Sequence, residues 1–456
     1  MIFLSMASFL TQYLNNYTEA ETVGLTSIPF SLYGSCLVIP VYDEDEDRIA
    51  KVVSKLDLSR KVLLILVANA PPGSADSTRE LAIQIRRHHR AKWTGAHLNC
   101  LLTFTPAIDL LLIDRCSERL EIPRRQGVGL ARKIGADIAT HLICEGIVTD
   151  PWIHTTDADV CLPAGYFDAL ANGPDGRRGA ILFPFHHIAP PDLSQAALLY
   201  ELSLHYYVRA LQWAGSPYGY HSIGSTLAIH FESYAMVRGF PKRAAGEDFY
   251  LLNKLAKVAG ISSLPDHVIE IEARESRRTP FGTGVNLSRI KALEAPLDQY
   301  LFYHPGIFRL LKVWLAELGT VWEDGQPELT NHSTSELDDE QIKSLDDCLT
   351  SLKAPHAIAR GFQQYRSADT FERFLHEWFD AFKTLKFVHF LRDHTYPSVT
   401  LREMLSAPFM SDVAADMTDV AAESAANPSR TDAVRPRPNS QLEGIVEKAR
   451  LMPDYH

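Results

Sequence analysis

A chain of 456 residues, 46% hydrophobic and 22% charged, has a globular composition, with room for one large domain and an addition to it. Its 45 basic and 56 acidic side chains leave a formal charge of −11, which argues against a general nucleic-acid or anionic-membrane surface and leaves only a local basic pocket open. No uncharged apolar run reaches the roughly 18 residues of a spanning helix. The apolar start "MIFLSMASFL" lacks a basic lead, and the six cysteines show no CxxC pair, so reduced, buried thiols in a cytoplasmic protein are expected.

After an N-terminal extension over 1–33, the first half alternates strands with helices. "SCLVIPVY" and "KVLLILVANA" read as buried strands, and "DEDRIAKVVSKL" between them has helical spacing with acids in its first turn. "STRELAIQIRRHH" follows as helix, "LNCLLTF" and "DLLLIDR" as strands, "GVGLARKIGADIATHLI" as helix, and "PWIHTTDADV" as strand and turn. This order predicts an α/β fold with a mainly parallel sheet covered by helices, whose ligands sit beyond the carboxyl ends of the strands.

From about residue 193 the rhythm changes to the aromatic helix "LSQAALLYELSLHYYVRALQWAG", then "SPYGYHSIGSTLAI", the helix "EDFYLLNKLAKVAG" and the strand "DHVIEIEA". The expected domain closes at 297. Residues 298–406 read as a helical C-terminal region, in "LDQYLFYHPGIFRLLKVWLAEL" and "ADTFERFLHEWFDAFKTLKFVHFLRD"; its Trp314, Trp322 and Trp378 serve as core or as an oligomer surface. Residues 407–456, rich in Ala, Ser, Asp and Pro, read as a largely disordered tail.

Four stretches could carry chemistry. Asp157 and Asp159 in "TTDADV" stand two apart, so in an extended chain their carboxylates face one side at a strand end. Two hard oxygen donors suit Mg²⁺ or Mn²⁺ with substrate phosphates completing the shell, and an acidic turn is the alternative. Glu247 and Asp248 open a helix after a glycine, where they either answer the helix dipole or supply a general base. "RRQGVGLARKIGAD" pairs Arg124, Arg125, Arg132 and Lys133 with a glycine-bearing helix entry, which suits an anion; it lacks the G-x-G-x-x-G spacing of a dinucleotide site. "RESRRTPFGTG" is a basic loop that could close on phosphates or simply lie on the surface.

Taken in order, "IPVYDE", "GVGLARKIGAD", "TTDADV" and "GSTLAIHFESYAMVRGFPKRAAGEDFYLLNKLAKVAG" resemble the family 2 glycosyltransferases of the GT-A fold, over about residues 34 to 285. The resemblance implies a nucleoside diphosphate sugar as donor, a hydroxyl acceptor and a divalent metal. Pro40, Tyr42 and Glu44 would lie by the nucleoside, with Asn69 near the base. Gln126, Gly127 and Arg132 would face the donor, and Asp157 and Asp159 would serve metal and diphosphate. Gly224 and Ser225 would border the acceptor, and Arg277 and Arg278 would hold diphosphate or an acidic acceptor. Asp248 would be the general base of an inverting transfer, with Glu247 as its catalytic neighbour. His267 is the candidate third metal ligand. The Q-x-x-R-W element of membrane polymer synthases is absent. Three other readings stay open: a retaining transferase acting on an acceptor such as glycerate or phosphoglycerate, a nucleotidyltransferase, and a non-catalytic scaffold whose helical part binds a partner or a second copy. "DEDED" after the first strand, where a nucleotidyltransferase carries a basic glycine-rich loop, disfavours the second of these.

Overall fold

The computed structural model describes residues 2–74, 76–170, 178–276, 282–322, 337–411 and 438–451. The chain forms two compact units. The first comprises Met1–Ile188 and Ser222–Glu272; the second comprises Ala189–His221, Ala273–Ser276 and the described residues from Thr283 onward.

The first unit opens with helix α1 (Ile2–Asn16), then strand β1 (Ser35–Val41), α2 (Glu46–Val53), β2 (Val62–Asn69), α3 (Asp76–His88), β3 (Arg90–Thr94), β4 (Cys100–Thr105), β5 (Ile108–Arg115), α4 (Gly127–Cys144), β6 (Trp152–Thr155), β7 (Val160–Cys161), β8 (Arg178–Leu182) and β9 (Phe185–Ile188). The chain passes through α5 (Ser194–Trp213) of the second unit, then returns with β10 (Leu227–His230), α6 (Phe231–Met236), α7 (Glu247–Leu255), β11 (Gly260–Ser263) and β12 (Ile269–Glu272).

Nine strands form one sheet in the order β11-β8-β10-β6-β1-β2-β5-β4-β3, and β7, β12 and β9 form a small second sheet. In the large sheet β4 and β10 run against the other seven strands, so the expected mainly parallel sheet is present, with an antiparallel insertion on each side of its centre. Every residue of β1 and β2 is buried, as strands covered on both faces require. Because β1, β2 and β6 are parallel, Tyr42, Asn69 and Thr156 emerge at the same edge. β10 is antiparallel to β6, with Leu227 opposite Thr155, so the residues preceding β10, Gly224 and Ser225, reach that edge as well.

α2 starts where Asp45 caps it, accepting from the Arg48 amide at 2.9 Å. α4 has every residue from Gly129 to Thr140 buried, including two adjacent cations. Gly135 lets α4 lie against Val38 of β1, which a Cβ would strike. Five cysteines are buried, and Cys144 at the end of α4 is exposed.

The second unit is helical. It contains α5, α8 (Thr283–Lys291), α9 (Pro296–Gln299), α10 (Pro305–Thr320), α11 (Asp339–Ser351), α12 (Ala354–Gln364), α13 (Ala368–Trp378), α14 (Ala381–His394), α15 (Leu401–Leu405) and α16 (Pro438–Leu451). Leu202, Tyr206 and Leu211 of α5 bury in one cluster with Phe308, Trp314 and Phe409, which is why the structure groups α5 with the helices and not with the sheet. Two stretches read as helical are broken. Residues 300–304 lie between α9 and α10, where Phe302 pairs with Val399 and Pro305 restarts the helix. Asp380 then separates α13 from α14 by capping the Phe382 and Lys383 amides at 3.1 and 3.2 Å. Trp314 is wholly buried, a core tryptophan. Inside the stretch read as tail, Pro408–Met410 forms a short turn of helix, residues 412–437 lie outside the described residues, and α16 is ordered, burying Leu442, Ile445 and Val446. Its Arg450 reaches the buried Glu201 of α5 at 3.0 Å. Among the described residues no helix is long and apolar enough to cross a membrane.

Candidate active site

The carboxyl edge of the parallel strands gathers the sequence motifs of the first unit around one side chain. Arg132 projects from α4 and is 3% exposed. Its Nη2 donates to Asp157 Oδ1 at 2.5 Å, and its Nη1 donates to Thr155 Oγ1 at 3.2 Å and to the Gly224 carbonyl. Its Nε lies 2.9 Å from Glu247 Oε1, an ion contact that lacks hydrogen-bond alignment. The D-x-D turn, the Gly-Ser segment and the Glu-Asp pair, separate in the chain, therefore meet on one guanidinium. A planar fork can serve several oxygens in this way and an ammonium cannot. Gly224 is required here: a Cβ would lie 2.6 Å from Arg132 Cζ. Gly224→Ala is expected to push the arginine aside and cost about 1–3 kcal/mol, as overpacking does, which chemical denaturation will read.

The neighbouring loop closes from the other side. Gly127 has φ +38°, and a Cβ there would meet Ala244 Cα at 2.8 Å; the Gly129 amide donates to the Arg243 carbonyl at 2.9 Å. The glycines of "GVG" thus admit the backbone of the loop that precedes α7, which starts after Gly246 in a left-handed conformation at φ 71°.

Three carboxylates, Asp157, Glu247 and Asp248, act on one another with Arg132 as their shared cation. Burial, with Asp248 next to it, pushes Glu247 up to about 7 against the pull of Arg132. Burial of its carboxyl also pushes Asp248 above the usual range, partly offset by Arg132 and by the Phe249 amide, which donates to it at 2.7 Å. Glu247 is buried, whereas Asp248 keeps part of its surface open, as do Asp157 and Asp159.

At the neighbouring strand ends, Pro40 is buried within β1, and Tyr42 and Glu44 follow it half-buried. Asp43 between them has φ 58°, and its amide donates to Thr78 Oγ1 at 2.9 Å. Glu44 lies 3.6 Å from Arg48. Asn69 ends β2 with 6% exposure, and its Oδ1 is buried without a hydrogen-bond partner among the described residues. Such an orphaned acceptor is costly unless a ligand supplies a donor. Gln126 and Gly127 are half-buried at the start of α4, and Ser225 is buried with its carbonyl accepting from Thr156 Oγ1 at 2.9 Å. Arg277 and Arg278 lie outside the described residues. His267 stands at φ 67° against Gly165, and no set of three or more His, Cys, Asp or Glu is arranged around a metal among the described residues.

Sequence reading missed Thr155 and the way Arg132 is used. The signal was there: an arginine inside the apolar run "GLARKIGADIA" must be paired if that helix is buried all round.

No protein-family model matches the chain, and no curated protein is similar to it. Among solved structures, the mannosyltransferase PcManGT from Pyrobaculum calidifontis, in complex with GDP-Man and Mn²⁺, aligns over 98% of this chain and 94% of its own, with 16% identity and a TM-score of 0.31. A likeness that low carries no argument, so the functional reading rests on the site.

Proposed function

We propose that the protein is a glycosyltransferase of the GT-A type, moving a sugar from a nucleoside diphosphate sugar to a hydroxyl acceptor with inversion at the anomeric carbon. One observation carries this reading: Arg132 joins the D-x-D turn, the Gly224 segment and the Glu-Asp pair at the carboxyl edge of a mainly parallel sheet, where such sheets bind ligands. The order of those motifs along the chain is the order in family 2 glycosyltransferases.

Each residue then has a task. Asn69 Oδ1 accepts a donor group of the nucleoside, and Tyr42 and Glu44 border it. Arg132 holds Asp157 by one oxygen, which fixes the direction of the other. Asp157 and Asp159 offer two hard carboxylates and no third protein ligand among the described residues, a donor set that fits Mn²⁺ or Mg²⁺ shared with a diphosphate. Such an ion offsets the charge that builds on the leaving diphosphate.

Asp248 takes the proton of the acceptor hydroxyl. Glu247 is held against Arg132 by an ion contact, which leaves Asp248 as the base, and its raised proton affinity makes it a stronger base than an ordinary carboxylate. Gly224 and Ser225 line the acceptor side, and Arg277 and Arg278, outside the described residues, are assigned to either the diphosphate or an acidic acceptor.

Asp159→Ala is expected to leave the thermal transition within a few degrees of wild type and to abolish Mn²⁺-dependent donor hydrolysis and transfer, read as released nucleoside diphosphate. Full activity in that variant contradicts the metal assignment.

A further inference from the structure

The N-terminal segment has no part in the site, yet it is wired into the loop that delivers the reacting pair. Asp137 of α4 is wholly buried and collects four donors: the Tyr13 hydroxyl at 2.5 Å, the Tyr234 hydroxyl at 3.0 Å, Lys133 Nζ at 3.0 Å and the Glu19 amide at 2.8 Å. Lys133 also lies 3.2 Å from the Tyr13 hydroxyl, and it is the residue next to Arg132. Anchoring a helix needs only apolar burial. A carboxylate taken out of water and satisfied by three side chains and an amide fixes a geometry instead, because any displacement leaves it under-bonded.

The loop over 237–246, which runs into Glu247, is held by the same group. Gly239 has φ +70°, and a Cβ there would sit 2.7 Å from both the Tyr13 and Tyr234 hydroxyls. Lys242 pairs with Glu19 at 2.6 Å, and the Arg238 guanidinium stacks 4.5 Å over the Tyr17 ring. On its other side the loop meets Gly127 and Gly129 of α4, as described above. Residues 13–19 and the first half of α4 thus grip both sides of the segment that ends in Glu247 and Asp248.

We propose that the N-terminal segment is a positioning clamp for the Glu247–Asp248 pair, with Tyr13 as its principal positioning residue and Glu19 as its second hold. This rests on the reading of those carboxylates as the reacting pair. Tyr13 touches no substrate; it sets the loop.

The test uses the full chain, with hydrogen exchange of the segment 237–250 followed by mass spectrometry beside the kinetics of transfer. Tyr33→Phe is the control: it removes an equivalent hydroxyl, bonded to the buried Asp109 at 2.7 Å, at the amino end of the strands. Tyr13→Phe is expected to speed exchange of 237–250 about tenfold and lower kcat about tenfold, with donor KM within twofold of wild type. Tyr33→Phe is expected to change neither. Lys242→Gln, at a part-exposed ion pair that any folded chain tolerates, moves both readouts in the same direction by a smaller factor. Exchange over 237–250 that is unaltered in Tyr13→Phe and Lys242→Gln, or equally altered in Tyr33→Phe, overturns the clamp. If wild type transfers no sugar from any donor, the functional reading fails, and the exchange result still decides whether the clamp exists.

Discussion

Arg132→Met is expected to destabilise the protein by about 3–5 kcal/mol, the range found when one partner of a buried ion pair is removed, and to abolish any activity of the site. The cost arises because Asp157, Glu247 and Asp248 then face each other without a cation, two of them pushed up by burial already. The pH dependence has a definite sign. Glu247 has an ordinary value of 4.5 and sits at about 7 in the fold, so the folded state binds its proton more tightly. Its contribution is fully present below about 4.5 and is lost as pH rises through about 7. Removing Arg132, which pulls Glu247 down, enlarges that loss. The gap in melting temperature between wild type and Arg132→Met should therefore widen from pH 5 to pH 8, as differential scanning calorimetry across that range will show. Arg132→Lys is expected to rescue little, since one ammonium cannot serve Thr155, Gly224, Asp157 and Glu247 together.

Asp248→Asn is the second large effect. It should lower kcat for transfer by about 10²–10⁴, the usual weight of a general base, while donor binding stays within a few-fold of wild type. Wild-type activity should fall on the acid side at a pH above the ordinary carboxylate range, because burial raises Asp248. The variant removes that acid limb from whatever activity remains. An unchanged kcat in Asp248→Asn contradicts the inverting role given to this residue.

The centre of the fold was legible because β1, β2, β5 and β6 are apolar runs bounded by turns, and α2, α3 and α4 keep helical spacing between them. β3 was not, since its residues are mostly exposed and two of the five are basic, and β8, β10 and β11 are too short to show a period. α5 read as part of the sheet domain because chain order says nothing about which core its apolar face joins. The position of α16 was hidden by the composition of the stretch before it, although Leu442, Ile445 and Val446 have helical spacing. In the site, the D-x-D turn and the Glu-Asp pair were visible as carboxylates at element ends. What could not be read is that Arg132 brings them together, because the partners are Thr155, a backbone carbonyl and two distant acids, and only the fold supplies those distances. The grip of Tyr13 on Asp137 was hidden for the same reason, since the two stand 124 positions apart.

The most direct test of the proposed function is a binding panel: melting temperature of the full chain with UDP-, GDP- and ADP-sugars, each with and without Mn²⁺. A donor-binding site raises the transition by several degrees for one nucleotide class, only when Mn²⁺ is present, and the rise disappears in Asp159→Ala. No shift with any nucleotide sugar in the presence of Mn²⁺ contradicts the assignment of this site to sugar transfer.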